Sequence, residues 1–349
     1  MNELIFPVVF WTVMLGLLAV FRKERVFWPL LALALLLLFN HLFTPGFFRM
    51  EIRDGRLYGT LVDILNYGGP IMLLALGMTL IIATGGVDLS VGAIMAVSGG
   101  VMAQVATSHG PWAALAAAIA ISVLLGAWNG TLVSVIRIQP IVATLILMVA
   151  GRGAAQLITG GQILNFNDPT LVFVGNGAVA GLPFTCWLVA IMLLLTTVLT
   201  RKTALGLFIE AVGDNEAASR LAGINARWVK FSTYAFGGLC AGLAGLVAAS
   251  NIRSADANHA GLYAELDAIL AVVIGGTALT GGRFYLVGSL VGALLMQTLT
   301  TTMYARNVSS DIAPVPKALV IIAVCLLQSE PARAWISRLR KPSARKEAA

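Results

Sequence analysis

The chain is cut into apolar runs, most of them long enough to cross a bilayer, and nearly all of its charge lies in the short segments between them. A hydrocarbon core about 30 Å thick needs about 20 consecutive apolar residues in helical form. Windows of about 19 residues place such runs at 4–20, 26–43, 63–84, 89–107, 112–136, 140–158, 184–200, 231–250, 264–280, 284–303 and 316–328, the last being short. Of the 349 residues, 58% are hydrophobic and 11% are charged, where ordinary globular chains carry roughly 25% charged residues. A water-soluble fold of this length could not bury so much apolar surface. The sequence therefore predicts an all-α polytopic membrane protein with about 10–11 transmembrane helices.

The net charge of +7 sits at the ends of apolar runs and forms no basic face interleaved with aromatics. It reports orientation, not nucleic-acid binding. If Phe21–Arg25 faces the cytoplasm, alternation puts Arg137, Arg201, Lys202, Arg220, Arg227, Lys230, Arg283 and the C-terminal tail on that side, 16 of the 23 lysines and arginines. Arg49, Arg53, Arg56, Arg253 and Arg306 fall opposite, and Arg152 and Lys317 lie in or at the edge of spans. The first run has no basic segment before it and no obvious cleavage site, so it reads as a retained helix. Cys186, Cys240 and Cys325 stand singly, with no His/Cys cluster, so neither a metal site nor a structural disulfide is expected.

Six crossings must separate the inner anchors at 22–25 and 201–202, which forces a reversal within Ala83–Gly92, ATGGVDLSVG. Gly85 and Gly86 can take positive φ there, and Asp88 and Ser90 can cap the helix that follows. Asp88 has two open roles: a cap at a buried turn, or a contact for something passing through. Gly85-Gly86 followed by Val91-Gly92 recurs as Gly281-Gly282 followed by Val287-Gly288; an internal repeat and chance both account for it. The longest inner loop, 201–230, ends in a short helix. Asp214 or Asn215 can cap its start and Gly223 can close it. Ala217, Ala218 and Leu221 share a face, and Glu216 pairs with Arg220 at i, i+4. That small, smooth face suits either a groove on a partner or a connector lying on the membrane.

Four spaced motifs resemble the permease subunits of ABC importers of the ribose/monosaccharide class: GGVDLSVG; Gln139–Leu145 followed by Gly151-Arg-Gly153; Glu210-Ala211-x-Gly213-x-Asn215-x-Ala217-Ala218 ending in Ala222-Gly223-Ile224; and Glu265–Gly276 followed by Gly281-Gly282. The likeness spans roughly residues 57–328, with the run at 4–20 an addition to the usual core. It implies a helical hairpin at 1–43, a permease domain at 44–328 with a cytoplasmic coupling loop at 201–230, and a basic cytoplasmic tail at 329–349. It also implies residence in the bacterial inner membrane, a second permease subunit, identical or paralogous, a pair of ATPase subunits beneath, and a periplasmic sugar-binding protein above. Within the loop it assigns ATPase coupling to Glu210, Ala211, Gly213, Asn215, Ala217, Ala218 and Gly223. No Gly-Lys pair occurs in the chain, so there is no P-loop. ATP and magnesium belong on the partner, and no cofactor is expected here.

A neutral sugar leaving water needs hydrogen-bonding groups along its path, and intramembrane carboxylates cost about 2.5–3.5 kcal/mol on insertion scales. The pathway candidates are Asn66, Asp88, Ser90, Asn129, Gln139, Thr144, Glu265 and Asp267. Asn129 can equally bond a neighbouring helix, Glu265 and Asp267 can be solvated at a span end, and Arg152 can pair with a carboxylate in the bundle. His41, His109 and His259 fall near span ends and read as interfacial. A proton-coupled secondary transporter using Asp88, Glu265 or Asp267 is the alternative reading. An enzyme is disfavoured, because HExxH, GxSxG and paired catalytic carboxylates are absent from the sequence.

Overall fold

A computed structural model describes residues 2–22, 26–53, 55–309, 312, 315–319, 322 and 326. The charged turn at 23–25, most of the run 316–328, Cys325 and the tail 329–349 lie outside the described residues. In chain order the elements are α1 (Asn2–Val20), α2 (Phe27–Phe43), β1 (Glu51–Arg53), β2 (Arg56–Tyr58), α3 (Thr60–Ala83), α4 (Val91–Ser134) and α5 (Pro140–Thr159). Then come β3 (Leu164–Asn165), α6 (Pro169–Asn176), β4 (Ala178–Val179), β5 (Leu182–Pro183), α7 (Phe184–Arg201), α8 (Leu205–Asp214) and α9 (Glu216–Leu221). The remainder is α10 (Ala226–Ile252), β6 (Ser254–Ala255), α11 (Ala264–Ile274) and α12 (Leu286–Ala305). The six strands form three antiparallel pairs, β1–β2, β3–β6 and β4–β5, all in the connecting segments.

Among the described residues, six helices are long and apolar enough to cross a membrane: α3, α4, α5, α7, α10 and α12. With 44 residues, α4 would be about 66 Å long if straight, twice a bilayer core. It breaks instead at Gly110 (φ 80, ψ 172), just before Pro111, into the two crossings read from the sequence. The run at 264–280 behaves differently. Helix α11 stops at Ile274 after 11 residues, about 16 Å and too short to span. Residues 275–285 then follow as irregular backbone. Gly276 closes the helix: its φ is 94°, and the Thr277 N–H reaches back to the Val272 carbonyl at 3.3 Å. Beside this end, Gly275 and Gly288 lie against each other backbone to backbone, with no room for a side chain on either.

The centre of the bundle is α3, packed against α10, α12, α11 and α7, while α4 packs on α10 and α5. From Met72 to Ala83, α3 is buried on every side, whereas the outer helices bury one stripe each. On α5 the stripe is Ala143, Leu147, Gly151, Ala155 and Thr159, one residue per turn, while Ile146, Val149 and Leu157 point away from the protein. In water such faces would aggregate; in lipid they are the solvated side. Apolar burial gives little drive between helices in lipid, so small residues carry the contacts. Gly126 sits on Gly238, and Gly245 lies against Met95. Buried threonines bond back to their own helix, as Thr79 does to Ala75 (2.5 Å), Thr196 to Met192 (2.6 Å) and Thr298 to Leu294 (2.7 Å). They thus satisfy their hydroxyls without water. Helix α2 is tied to α12 by Asn40, whose amide donates to the Thr302 hydroxyl at 2.7 Å, and α1 leans chiefly on α2.

Candidate functional site

The reversal after α3 begins at Gly85, whose φ of 77° only glycine adopts readily. Gly86 does not share it, contrary to the sequence reading. Gly86 is glycine because a Cβ there would fall 2.6 Å from the Tyr234 hydroxyl. Asp88 follows, fully buried, and its Oδ1 accepts from the Ser90 backbone N–H at 2.8 Å, the Ser90 hydroxyl at 2.6 Å and the Asn129 amide at 3.4 Å. Asn129 also donates to the Ser90 hydroxyl at 2.8 Å. Ser90 stands at the N-cap of α4, but its hydroxyl points to Asp88 and caps no helical N–H. The capping role expected of Ser90 is thus replaced by a turn that Asp88 holds from two residues upstream. Thr144 donates to the carbonyls of Pro140 (2.9 Å) and Val87 (3.5 Å), and Tyr234 donates to Val87 at 3.3 Å. Four of the eight pathway candidates, Asp88, Ser90, Asn129 and Thr144, therefore gather around one turn. Asp88 Oδ2 and Asn129 Oδ1 are buried there without a partner among the described residues.

The two glycine turns noted in the sequence meet in space. The Gly282 N–H donates to the Ala83 carbonyl at 2.9 Å, and Gly281 (φ 89) lies against Gly85. Between them sits Gly213, the penultimate residue of α8. A methyl group on Gly213 would fall within contact distance of the Ala83 carbonyl and 2.5 Å from the Gly282 nitrogen. Within α8, Gly206, Ile209 and Val212 are buried. Helix α9 starts at Asn215, whose side chain accepts from the Ala218 N–H at 2.9 Å, and it closes at Gly223 (φ 86) with Ile224 N–H on the Ser219 carbonyl at 3.0 Å. Glu210 and Ala211 are half-buried on α8, while Ala217, Ala218 and Gly223 are exposed and Leu221 is 92% exposed. The coupling candidates thus divide into a part that grips the bundle and a part that faces out.

Glu216 is held by Arg220 and by Lys230 at 2.5 Å. Burial alone would raise its carboxyl, but Lys230 and Arg220 outweigh that and hold it below the usual carboxylate range. A depressed carboxylate stabilises the fold fully above its ordinary range, and that contribution fades as pH falls through the depressed value. Both partners are partly exposed, so the effect is under about 1 kcal/mol. Glu216→Gln should lower the unfolding temperature slightly at neutral pH, and the difference from wild type should vanish in acid. A difference that persisted in acid would assign Glu216 some other role.

The remaining candidates lie apart. Asn66 donates to Asn251 at 3.4 Å, beside Asn176, which donates to the Ser250 carbonyl at 2.6 Å. Glu265 packs on Gly92 and feels the charge of Arg152, which itself donates to the Ala260 carbonyl. Asp267 pairs with Lys317 at 3.1 Å, and Gln139 is exposed at the start of α5. Of the histidines, His41 joins an aromatic cluster with Trp11 and Phe48, and His109 and His259 are exposed. Sequence reasoning missed Tyr234, Asn176 and Asn251. An apolar-run scan does not register a tyrosine inside a helix, and nothing in the loop 159–183 announces its approach to α10. Among the described residues no three His, Cys, Asp or Glu side chains cluster as a metal site would.

A family profile described as "Branched-chain amino acid transport system / permease component" matches residues 60–327. The chain is 50% identical over 314 residues to the galactofuranose transporter permease protein of Escherichia coli (strain K12), covering 88% of this chain and 92% of that one. It is 38% identical to the fructose import permease protein of Bifidobacterium longum (strain NCC 2705), covering 88% of each chain. It is 37% identical to the ribose import permease protein of Escherichia coli (strain K12), covering 86% and 92%. No solved structure matches.

Proposed function

Since the chain belongs to the family of permease components of branched-chain amino acid transport systems, we propose that it is the membrane subunit of an ATP-driven importer that carries a monosaccharide inward. The cargo class follows the relatives and not the family title, because three sugar-import permeases are each matched across more than four fifths of this chain. Galactofuranose is the first sugar to test, because the relative named for it shares half its residues over the matched length. ATP is hydrolysed on a separate chain, a periplasmic protein delivers the sugar, and the assembly sits in the bacterial inner membrane.

The observation that carries this reading is Gly213 wedged between the Ala83 carbonyl and Gly282. An ATPase pair gripping the exposed face of α9 would push on α8. Through Gly213 that push reaches both glycine turns, which start α4 and lead into α12. A rigid-body shift of this kind is an established route from a small displacement to a large one. The carboxyl, amide and hydroxyl groups gathered around Asp88, Asn129, Ser90 and Thr144 would offer a passing sugar hydrogen-bonding partners.

The test is uptake of labelled galactofuranose by cells holding the whole importer, with the membrane potential collapsed and ATP maintained. Uptake should continue. If it stops, the transporter is driven by an ion gradient and the proposal is wrong. Deleting the ATPase gene should abolish uptake whether or not the membrane potential is collapsed.

A further inference from the structure

On the face that carries α9, the end of α4, the start of α5, α9 and the first turn of α10 enclose a cavity of about 200 Å³. Its wall holds Arg137, Arg220, Arg227 and Lys230 against one carboxylate, Glu216. Glu216 engages Arg220 and Lys230. Arg137 and Arg227 have no ion pair or side-chain hydrogen bond among the described residues. Ser134 also lines the cavity. It is 3% exposed, and its hydroxyl has no partner among the described residues. A buried donor left unmatched costs about 1–3 kcal/mol, and an anion's oxygen is a suitable acceptor for it. Arg137 is further set in place by a left-handed backbone (φ 65), which a non-glycine residue adopts only when its surroundings impose it.

We propose that this cavity binds the phosphate of an anionic lipid headgroup. Two guanidinium groups that no described residue engages, and a hydroxyl, suit a phosphate oxygen set. The apolar rim selects the lipid over a free anion. Val135 and Ile136, adjoining Arg137, are 54% and 59% exposed, and Trp228, adjoining Arg227, is 61% exposed and stacked on Phe231 at 5.8 Å. Exposed tryptophan beside arginine is the composition of a membrane–water boundary, and basic pockets there hold anionic headgroups. The site would tie the α9 segment to the α4–α5 turn through a lipid. It stands apart from the coupling proposal, since lipid retention needs no ATPase.

The experiment is native mass spectrometry of the purified full chain in micelles doped with either phosphatidylglycerol or phosphatidylcholine. Phosphatidylglycerol should be retained preferentially. Arg137→Gln combined with Arg227→Gln should weaken that retention roughly 30-fold, at a factor of about five per cationic side chain. Ser134→Ala removes no charge and leaves no group unsatisfied, so it tests the built site against diffuse attraction; it should weaken retention several-fold. Unchanged retention in either variant overturns the proposal. So does a third outcome, in which excess inorganic phosphate displaces the lipid and alone raises the unfolding temperature as much as phosphatidylglycerol does, for then the occupant is a free anion.

Discussion

Replacing Gly213 with alanine is expected to cut sugar uptake at least tenfold while the protein stays in the membrane at normal abundance. The added methyl would meet two backbone atoms, the Ala83 carbonyl oxygen and the Gly282 nitrogen, and those two atoms bond each other at 2.9 Å. Neither can rotate away as a flexible side chain would. Overpacking of this kind costs about 1–3 kcal/mol, and a buried backbone pair forced apart costs about as much again. Each 1.4 kcal/mol is a factor of ten in an equilibrium between conformations. The strain falls on the junction between α8 and the two turns, leaving the exposed face of α9 intact. Gly213→Ala should therefore still co-purify with the ATPase but fail to transport, whereas Ala217→Trp, on the outward face, should lose the ATPase itself. Normal uptake by Gly213→Ala at matched abundance would remove Gly213 from the coupling route.

The second large effect is expected at Asp88. Replacing Asp88 with alanine leaves the Ser90 N–H, the Ser90 hydroxyl and the Asn129 amide without their shared acceptor, in a site with no exposure. At about 1–3 kcal/mol for each buried group left unmatched, the turn and the start of α4 should be lost, and the amount of folded protein should fall several-fold. Asp88→Asn keeps an acceptor oxygen at the same place and should fold at wild-type abundance. Uptake by that variant then separates the two roles of Asp88. If uptake is retained, the carboxylate serves the turn. If uptake is lost at full abundance, the charge or the unpartnered Oδ2 acts on the cargo, and the structural account of Asp88 fails.

Local features were legible without any structure. The ends of α9 followed from Asn215 and Gly223, because an Asn side chain and a left-handed glycine act within one turn of themselves. The break in α4 fell between two apolar runs, 89–107 and 112–136, that hydropathy had already kept apart. Two expectations failed. Gly86 is glycine because of Tyr234, on another helix, not because of its own φ. Helix α11 ends early at Gly276, whose positive φ closes it within one turn, a local signal that a hydropathy window passes over.

The sequence by itself determined that this chain lives in lipid, where its apolar runs lie, and which residues could carry polar chemistry. Hydropathy and capping are sums over neighbours in the chain, so they can be read along it. Only the tertiary structure decided that Asp88 meets Asn129, 41 residues away, that Gly213 lies between Ala83 and Gly282, and that Arg137 and Arg227 face one cavity. Contacts between helices in lipid depend on how closely small residues let two backbones approach, and that closeness is a property of pairs of helices, encoded in no single stretch of either.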